Sequence, residues 1–209
     1  MLSHHTILMS SAYLPPIEYV AFLLKCEIAI MEIEETYPKQ TYRNRCSILS
    51  ANGILNLSIP IIKPNGKNTK IKDITIFNSD RWFTNHWRAI SSAYSGSPFF
   101  LYYKDELHGF FTGKYYKLVE FNTALTNEIL NLIGMNCKII YSDSFTTRGE
   151  KDVPIDVRYS ITPKKEIESK SFEEYRQVFS NKFSFIPNLS IIDLLFNLGP
   201  ETKEYLMRT

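Results

Sequence analysis

Residues 6–33 read TILMSSAYLPPIEYVAFLLKCEIAIMEI, and this stretch decides the fold class. Thr6–Ser11 has the length and apolar character of a short buried strand. Pro15 and Pro16 then break the chain. Ile17–Cys26 is apolar nearly all round, which predicts a buried helix starting after the prolines. Glu27–Ile33 reads as a second strand. A strand, a helix and a strand in so short a span form a βαβ unit, and the usual right-handed crossover makes its strands parallel.

Working outward, Arg45–Ile61 carries Asn52-Gly53 between two β runs, the signature of a hairpin with a type I′ turn. With those two residues as the loop, Ser50 faces Leu55, Ile48 faces Leu57 and Cys46 faces Ile59. Ser47, Asn56 and Ser58 fall on the other face. Lys63–Lys72 reads as a polar loop, and Ile71–Phe77 alternates like a strand. Ser79 or Asp80 can cap a helix running from Arg81 to Tyr94. Helices over Pro98–Leu107 and Lys117–Ile133 follow, the second stopped by Gly134. Lys138–Tyr141 is a strand and Phe172–Phe179 a short helix. Within Pro187–Asn197, Ser190 and Asp193 stand where a capping box would place them, and a last helix covers Glu201–Met207. The class is α/β: a mixed sheet that opens with a βαβ unit and contains a β-hairpin, with a helical layer from the middle of the chain. Residues 143–170 are polar and are expected to be the least ordered part of a single domain spanning 1–209.

Composition excludes several classes. The 209 residues carry 24 Lys+Arg against 22 Asp+Glu, and 44% are hydrophobic, which fits a folded domain rather than a disordered chain. The balanced charge disfavours a nucleic-acid-binding domain. Aromatic residues interleaved with lysine at Tyr102-Tyr103-Lys104 and Lys114-Tyr115-Tyr116-Lys117 are the one feature that would serve single strands. No apolar run is long enough to span a bilayer. Three cysteines without a CxxC argue for a reducing compartment and against a disulfide or zinc framework, so a cytoplasmic protein is expected. Thirteen of the aromatics lie between Trp82 and Phe121.

No Walker loop, GxGxxG, GxSxG or HExxH is present, so no cofactor and no metal site is indicated by a motif. Placement has to carry the argument. Tyr13 and Pro15 follow the first strand, where open α/β sheets bind ligands. Glu34, Lys39, Asn44 and Arg45 follow the second strand and reach the same edge, where guanidinium groups can pair with the local carboxylates or hold an anion. Strand alternation turns Asn44 toward the apolar face, partly buried. Trp82, His86 and Tyr94 share a helical stripe. His86 is the candidate base there, against the blander alternative of a hydrogen-bonded core histidine.

These residues occur together in a recognisable set: Tyr-Leu-Pro-Pro-Ile-Glu-Tyr at 13–19, Lys-Gln-Thr-Tyr-Arg-Asn-Arg at 39–45, Trp82, His86 and Tyr94 with Ser-Pro-Phe-Phe at 97–100, and Phe-Ile-Pro-Asn-Leu-Ser-Ile-Ile-Asp-Leu-Leu-Phe-Asn-Leu-Gly-Pro-Glu at 185–201. On them the chain resembles the WbqC-like protein family, most closely a branch typical of Bacteroidetes. The resemblance implies a surface-polysaccharide context and, as for some members, transfer of an acyl or aminoacyl group to an amino sugar. It has Ser10 and Ser11 where the family usually has Gln-Pro, and Pro16 and Glu18 in place of the family's Trp and Gly. The polar stretch 143–170 lacks the Gly-rich segment of longer members. The expectation is therefore a transferase acting on an activated sugar or similar anionic metabolite, with a small anionic or sugar-nucleotide ligand as its partner. The alternative is a non-catalytic binding or scaffold protein of the same fold. Either could form a homo-oligomer.

Overall fold

In the computed structural model, which describes residues 6–147, 155–163 and 172–209, the first strand is the centre of a parallel sheet. β1 (Thr6–Met9) is buried along its whole length. It pairs in parallel with β2 (Ile28–Met31), Thr6 opposite Ile28 and Met9 opposite Met31. Between them α1 (Ile17–Leu24) starts at Pro16, which sits in extended backbone at the N-cap, and buries Ile17, Tyr19, Val20, Ala21 and Leu23. This is the expected βαβ unit.

The hairpin consists of β3 (Arg45–Ser50) and β4 (Gly53–Ser58) and forms a sheet of its own beside the parallel one. Its register differs from the one expected. Ser50 pairs with Gly53, Ile48 with Leu55 and Cys46 with Leu57. The turn is Ala51-Asn52, both at negative φ, and only Gly53 takes a positive φ, +96°. A turn without two left-handed residues is not type I′; Gly53 instead closes it from the first position of the return strand. The slip is two residues, so the same side chains face inward. Ser47 and Asn56 still meet on the outer face, at 2.7 Å.

β5 (Ile61–Ile62) and β6 (Thr75–Ile76) form a short antiparallel ladder. The strand expected over Ile71–Phe77 is shorter than its alternation suggested. Ile71–Asp73 is a 3₁₀ turn, because its backbone bonds sideways: Ile71 N–H to the Glu35 carbonyl and Lys72 N–H to the Ile33 carbonyl.

Three helices make the expected layer: α2 (Trp82–Tyr94), α3 (Phe100–His108) and α4 (Leu118–Ile133). α2 has no side-chain cap. Ser79 and Asp80 belong to a preceding 3₁₀ turn, and Arg81 makes the junction in left-handed backbone at φ +47°. Gly134 ends α4 at φ +71°, as its position predicts.

β7 (Lys138–Tyr141) lies outside β2, and β8 (Ile155–Asp156) lies on the far side of β1, giving the order β7-β2-β1-β8 with every pair parallel. β8 falls inside the stretch expected to be least ordered; 148–154 and 164–170 of that stretch lie outside the described residues. No helix forms over Phe172–Phe179. That segment is held by side-chain contacts instead, with the Tyr175 hydroxyl and Gln177 Nε2 reaching Asp193 Oδ2 at 2.5 and 3.1 Å.

α5 (Ile191–Leu198) is buried over nearly all its length, and α6 (Thr202–Arg208) follows a 3₁₀ turn. Ser190 is the N-cap of α5, but its hydroxyl donates to the Leu14 carbonyl at 2.9 Å and not into the helix. Asp193 is fully buried against Tyr175 and Gln177 rather than closing a capping box. Ser190 and Pro15 thus clamp α5 to the turn before α1, with the Ile191 N–H on the Pro15 carbonyl at 2.8 Å.

Candidate functional site

The carboxyl ends of β1 and β8 leave a cleft between them. β1 passes to β2 on one side, while β8 returns to its other side from far along the chain, so the strand order reverses at this point. Open parallel sheets hold ligands at such a place. The cleft is lined by Ser10, Ser11 and Ala12 after β1, by Val157, Arg158 and Ile161 after β8, and by Tyr19, Tyr42 and Arg43. It is small, with about 20 Å³ of cavity, room for one water-sized group.

Four charged side chains beside it are all but removed from solvent. Glu32, Glu35, Arg43 and Arg158 are each at most 3% exposed, although such residues are almost never fully buried unless paired. Arg43 Nη2 donates to Glu35 Oε1 and to Ser10 Oγ. The other Glu35 oxygen takes the Tyr159 hydroxyl at 2.9 Å. Arg158 holds Asp156 as a fork, Nε to Oδ1 at 3.0 Å and Nη2 to Oδ2 at 2.8 Å, and its Nη1 reaches Glu32 Oε2 at 3.1 Å. Bonding to Asp156 is the main reason that the guanidinium is held charged even more firmly than usual. Ser142, after β7, donates to Glu32 Oε1 at 2.8 Å. Three carboxylates therefore face two guanidiniums. Two donors on the lining residues remain unspent: Arg43 Nε and Ser11 Oγ are buried without a hydrogen-bond partner among the described residues.

The expected site residues fall into two groups. Tyr13, Trp82, His86 and Tyr94 are buried. The Tyr13 hydroxyl meets His86 Nδ1 at 2.8 Å, and Trp82 stands edge-on to both rings. Trp82 Nε1 donates to Asn78 Oδ1 at 3.0 Å. Burial pushes the His86 imidazole down to about 4, partly opposed by a hydrogen bond to the Ser58 carbonyl, so the ring is neutral near pH 7. This is the geometry of a satisfied core histidine. Tyr94 packs on Phe196. Pro15, also buried, gives its carbonyl to α5.

The second group lies around the loop after β2. Asn44 is half-buried, as the alternation requires. It accepts from the Tyr37 hydroxyl at 2.8 Å and donates to the Ile59 carbonyl at 2.9 Å. Glu34 is clamped by Lys70 and Lys72, each at 2.7 Å, and their hydrogen bonds hold its carboxyl below the usual range. Lys39 and Arg45 are exposed. Of the interleaved aromatics, Tyr102 and Tyr116 are exposed, whereas Tyr103 and Tyr115 are half-buried.

Sequence reasoning reached the Glu35–Arg43 neighbourhood as local carboxylates and guanidiniums able to pair, but it missed Arg158. The available signal was the alternation Asp156-Val157-Arg158-Tyr159, a strand end hidden in a stretch read by its polarity alone.

The sequence model of the WbqC-like protein family matches residues 10–169 and 164–205, and the chain belongs to that family. "Uncharacterized protein Rv1507c" of Mycobacterium tuberculosis is 24% identical over 225 residues, covering 95% of this chain and 96% of the relative. No solved structure matches the chain. Among the described residues no helix is long and apolar enough to cross a membrane.

Proposed function

We propose that this member of the WbqC-like family binds a small acidic metabolite in the cleft between β1 and β8, and that it is a transferase acting on an activated sugar or similar anionic metabolite in surface-polysaccharide biosynthesis. The observation that carries the binding reading is the pair of unspent buried donors, Arg43 Nε and Ser11 Oγ, on residues lining the cleft. An oxygen of a carboxylate or phosphate would take both, one of them as a charge-assisted bond. The three carboxylates nearby are unfavourable for a dense polyanion. They suit a ligand whose acidic group is accompanied by hydroxyls that can donate to Asp156 and Glu35, as on a sugar. In this reading the exposed Lys39 and Arg45 draw the anion in. The Glu34–Lys70–Lys72 clamp and Asn44 fix the loop, and Tyr13, Pro15, Trp82, His86 and Tyr94 form the wall behind it.

A second reading, a non-catalytic binding protein of the same fold, draws on the buried, neutral His86, which is engaged by Tyr13 and Ser58 and is not among the residues that line the cleft. Calorimetric titration of the full chain with a uridine diphosphate sugar, and in parallel with inorganic pyrophosphate, tests the binding. Saturable heat is expected with the sugar nucleotide and little or none with pyrophosphate. Ser11→Ala and Arg43→Lys should each weaken it about tenfold, the size of one lost hydrogen bond to a charged group. Unchanged affinity in both variants, at unchanged melting temperature, overturns the site. Binding without transfer to any sugar acceptor favours the second reading.

A further inference from the structure

The linear spacing of the cysteines argues against a disulfide, but the fold brings two of them together. Cys26 lies just before β2 and Cys137 just before β7, at the same end of two neighbouring parallel strands. The Lys138 N–H donates to the Glu27 carbonyl at 2.8 Å, so the backbones next to the two cysteines are already tied in register. Their Sγ atoms are 3.3 Å apart although 111 positions separate them in the chain. Cys26 is buried and Cys137 half-exposed, while Cys46 is buried in β3.

We propose that Cys26 and Cys137 are a redox pair that closes to an intramolecular disulfide under a mild thiol oxidant. A bonded pair of sulfurs lies about 2.0 Å apart, so the approach required is about 1.3 Å. Cys137 is the sulfur that solvent reaches. Its hydrogen bond with the Cys26 thiol, to which the Ala29 backbone N–H adds, lowers the Cys137 thiol below its usual range and favours the reactive thiolate. With oxidised glutathione as the oxidant, the Cys137 thiolate attacks one sulfur and forms a mixed disulfide. The first glutathione leaves as a thiolate and takes up the proton that Cys137 lost. Cys26 then loses its proton and attacks the Cys137 sulfur, and the second glutathione leaves and is protonated. Two protein thiols become one disulfide while one glutathione disulfide becomes two thiols. The bridge would tie the α1–β2 corner to β7, the strand that leads into Ser142.

The test uses the full chain incubated with oxidised glutathione near neutral pH, trapped with N-ethylmaleimide, denatured, and read by intact mass and peptide mapping. Free thiols should fall from three to one, with the peptides of Cys26 and Cys137 linked to each other. The melting temperature should rise by several degrees and return on reduction, because the bridge closes a long loop in the unfolded chain. Cys26→Ser should stop at a glutathione adduct on Cys137. A persistent adduct on the natural chain, a link between two copies, a bridge to Cys46, or three thiols still free would each overturn the proposal.

Discussion

The Tyr13 hydroxyl and His86 Nδ1 are 2.8 Å apart and both residues are buried, Tyr13 being 0% and His86 7% exposed. This bond joins the turn before α1 to the middle of α2, and the burial of the pair keeps the histidine neutral.

Because His86 titrates at about 4 when folded and near 6.5 when unfolded, the folded state favours the neutral ring. Its contribution is fully present above about pH 6.5 and is lost as the pH falls toward 4, with an upper limit of about 3 kcal/mol. His86→Gln should be less stable at neutral pH yet lose less between pH 6.5 and 4. Parallel pH profiles for the two proteins would discard this account.

Arg158 stands between Glu32 and Asp156, and Glu32 is fully buried. Arg158→Met should lower stability by about 3–5 kcal/mol, since it leaves an uncompensated carboxylate in the interior. Adding Glu32→Gln should recover part of the loss. Urea midpoints of the two variants test this, and a double variant no better than the single one counts against the pair as the cause.

The hairpin turn offers a sharper test of backbone geometry. Asn52 has negative φ and Gly53 has φ +96°. Asn52→Ala should change stability by less than about 0.5 kcal/mol, whereas Gly53→Ala should cost about 1 kcal/mol or more. Equal losses at the two positions would restore the type I′ turn.

Two glycines at helix ends should respond differently to alanine. At Gly134 a Cβ meets nothing within 4 Å, so the left-handed backbone alone opposes it, about 1 kcal/mol. At Gly199 the Cβ would lie 2.5 Å from the ring of Phe99, a residue whose backbone N–H donates to the Phe196 carbonyl. Gly199→Ala should therefore lose at least about 2 kcal/mol, read as a drop in melting temperature.

The βαβ unit, the hairpin's inward face, α4 and β7 were legible because local pattern and tertiary environment demand the same thing of those residues. Ile17–Leu24 has to be a helix and has to be buried on either ground. Legibility failed where a distant side chain decided the outcome. Gln177 and Tyr175 give up a helix to satisfy Asp193, and Asp193 leaves its capping role for the same contact. The Ser190 hydroxyl serves Leu14 rather than its own helix. The cleft was half legible: Glu35 and Arg43 are close in sequence, whereas the partner that completes the charge cluster is 126 positions from Glu32.

That separation has a consequence for how the protein is made. β1 emerges from the ribosome well before β8 and must wait for this second neighbour until residue 156 has followed, with the Ser10 hydroxyl meeting the Arg158 carbonyl across 148 positions. A nascent chain can form the βαβ unit early, but it cannot form the cleft, because the loop that closes it is long and closes late. During that interval Glu32 and Arg43 lack their final surroundings, and the uncovered side of β1 is an open edge able to pair with the wrong strand. Closure of the cleft therefore waits for β8, and a chaperone that shields β1 would act on the step that separates a folded βαβ unit from the full parallel sheet.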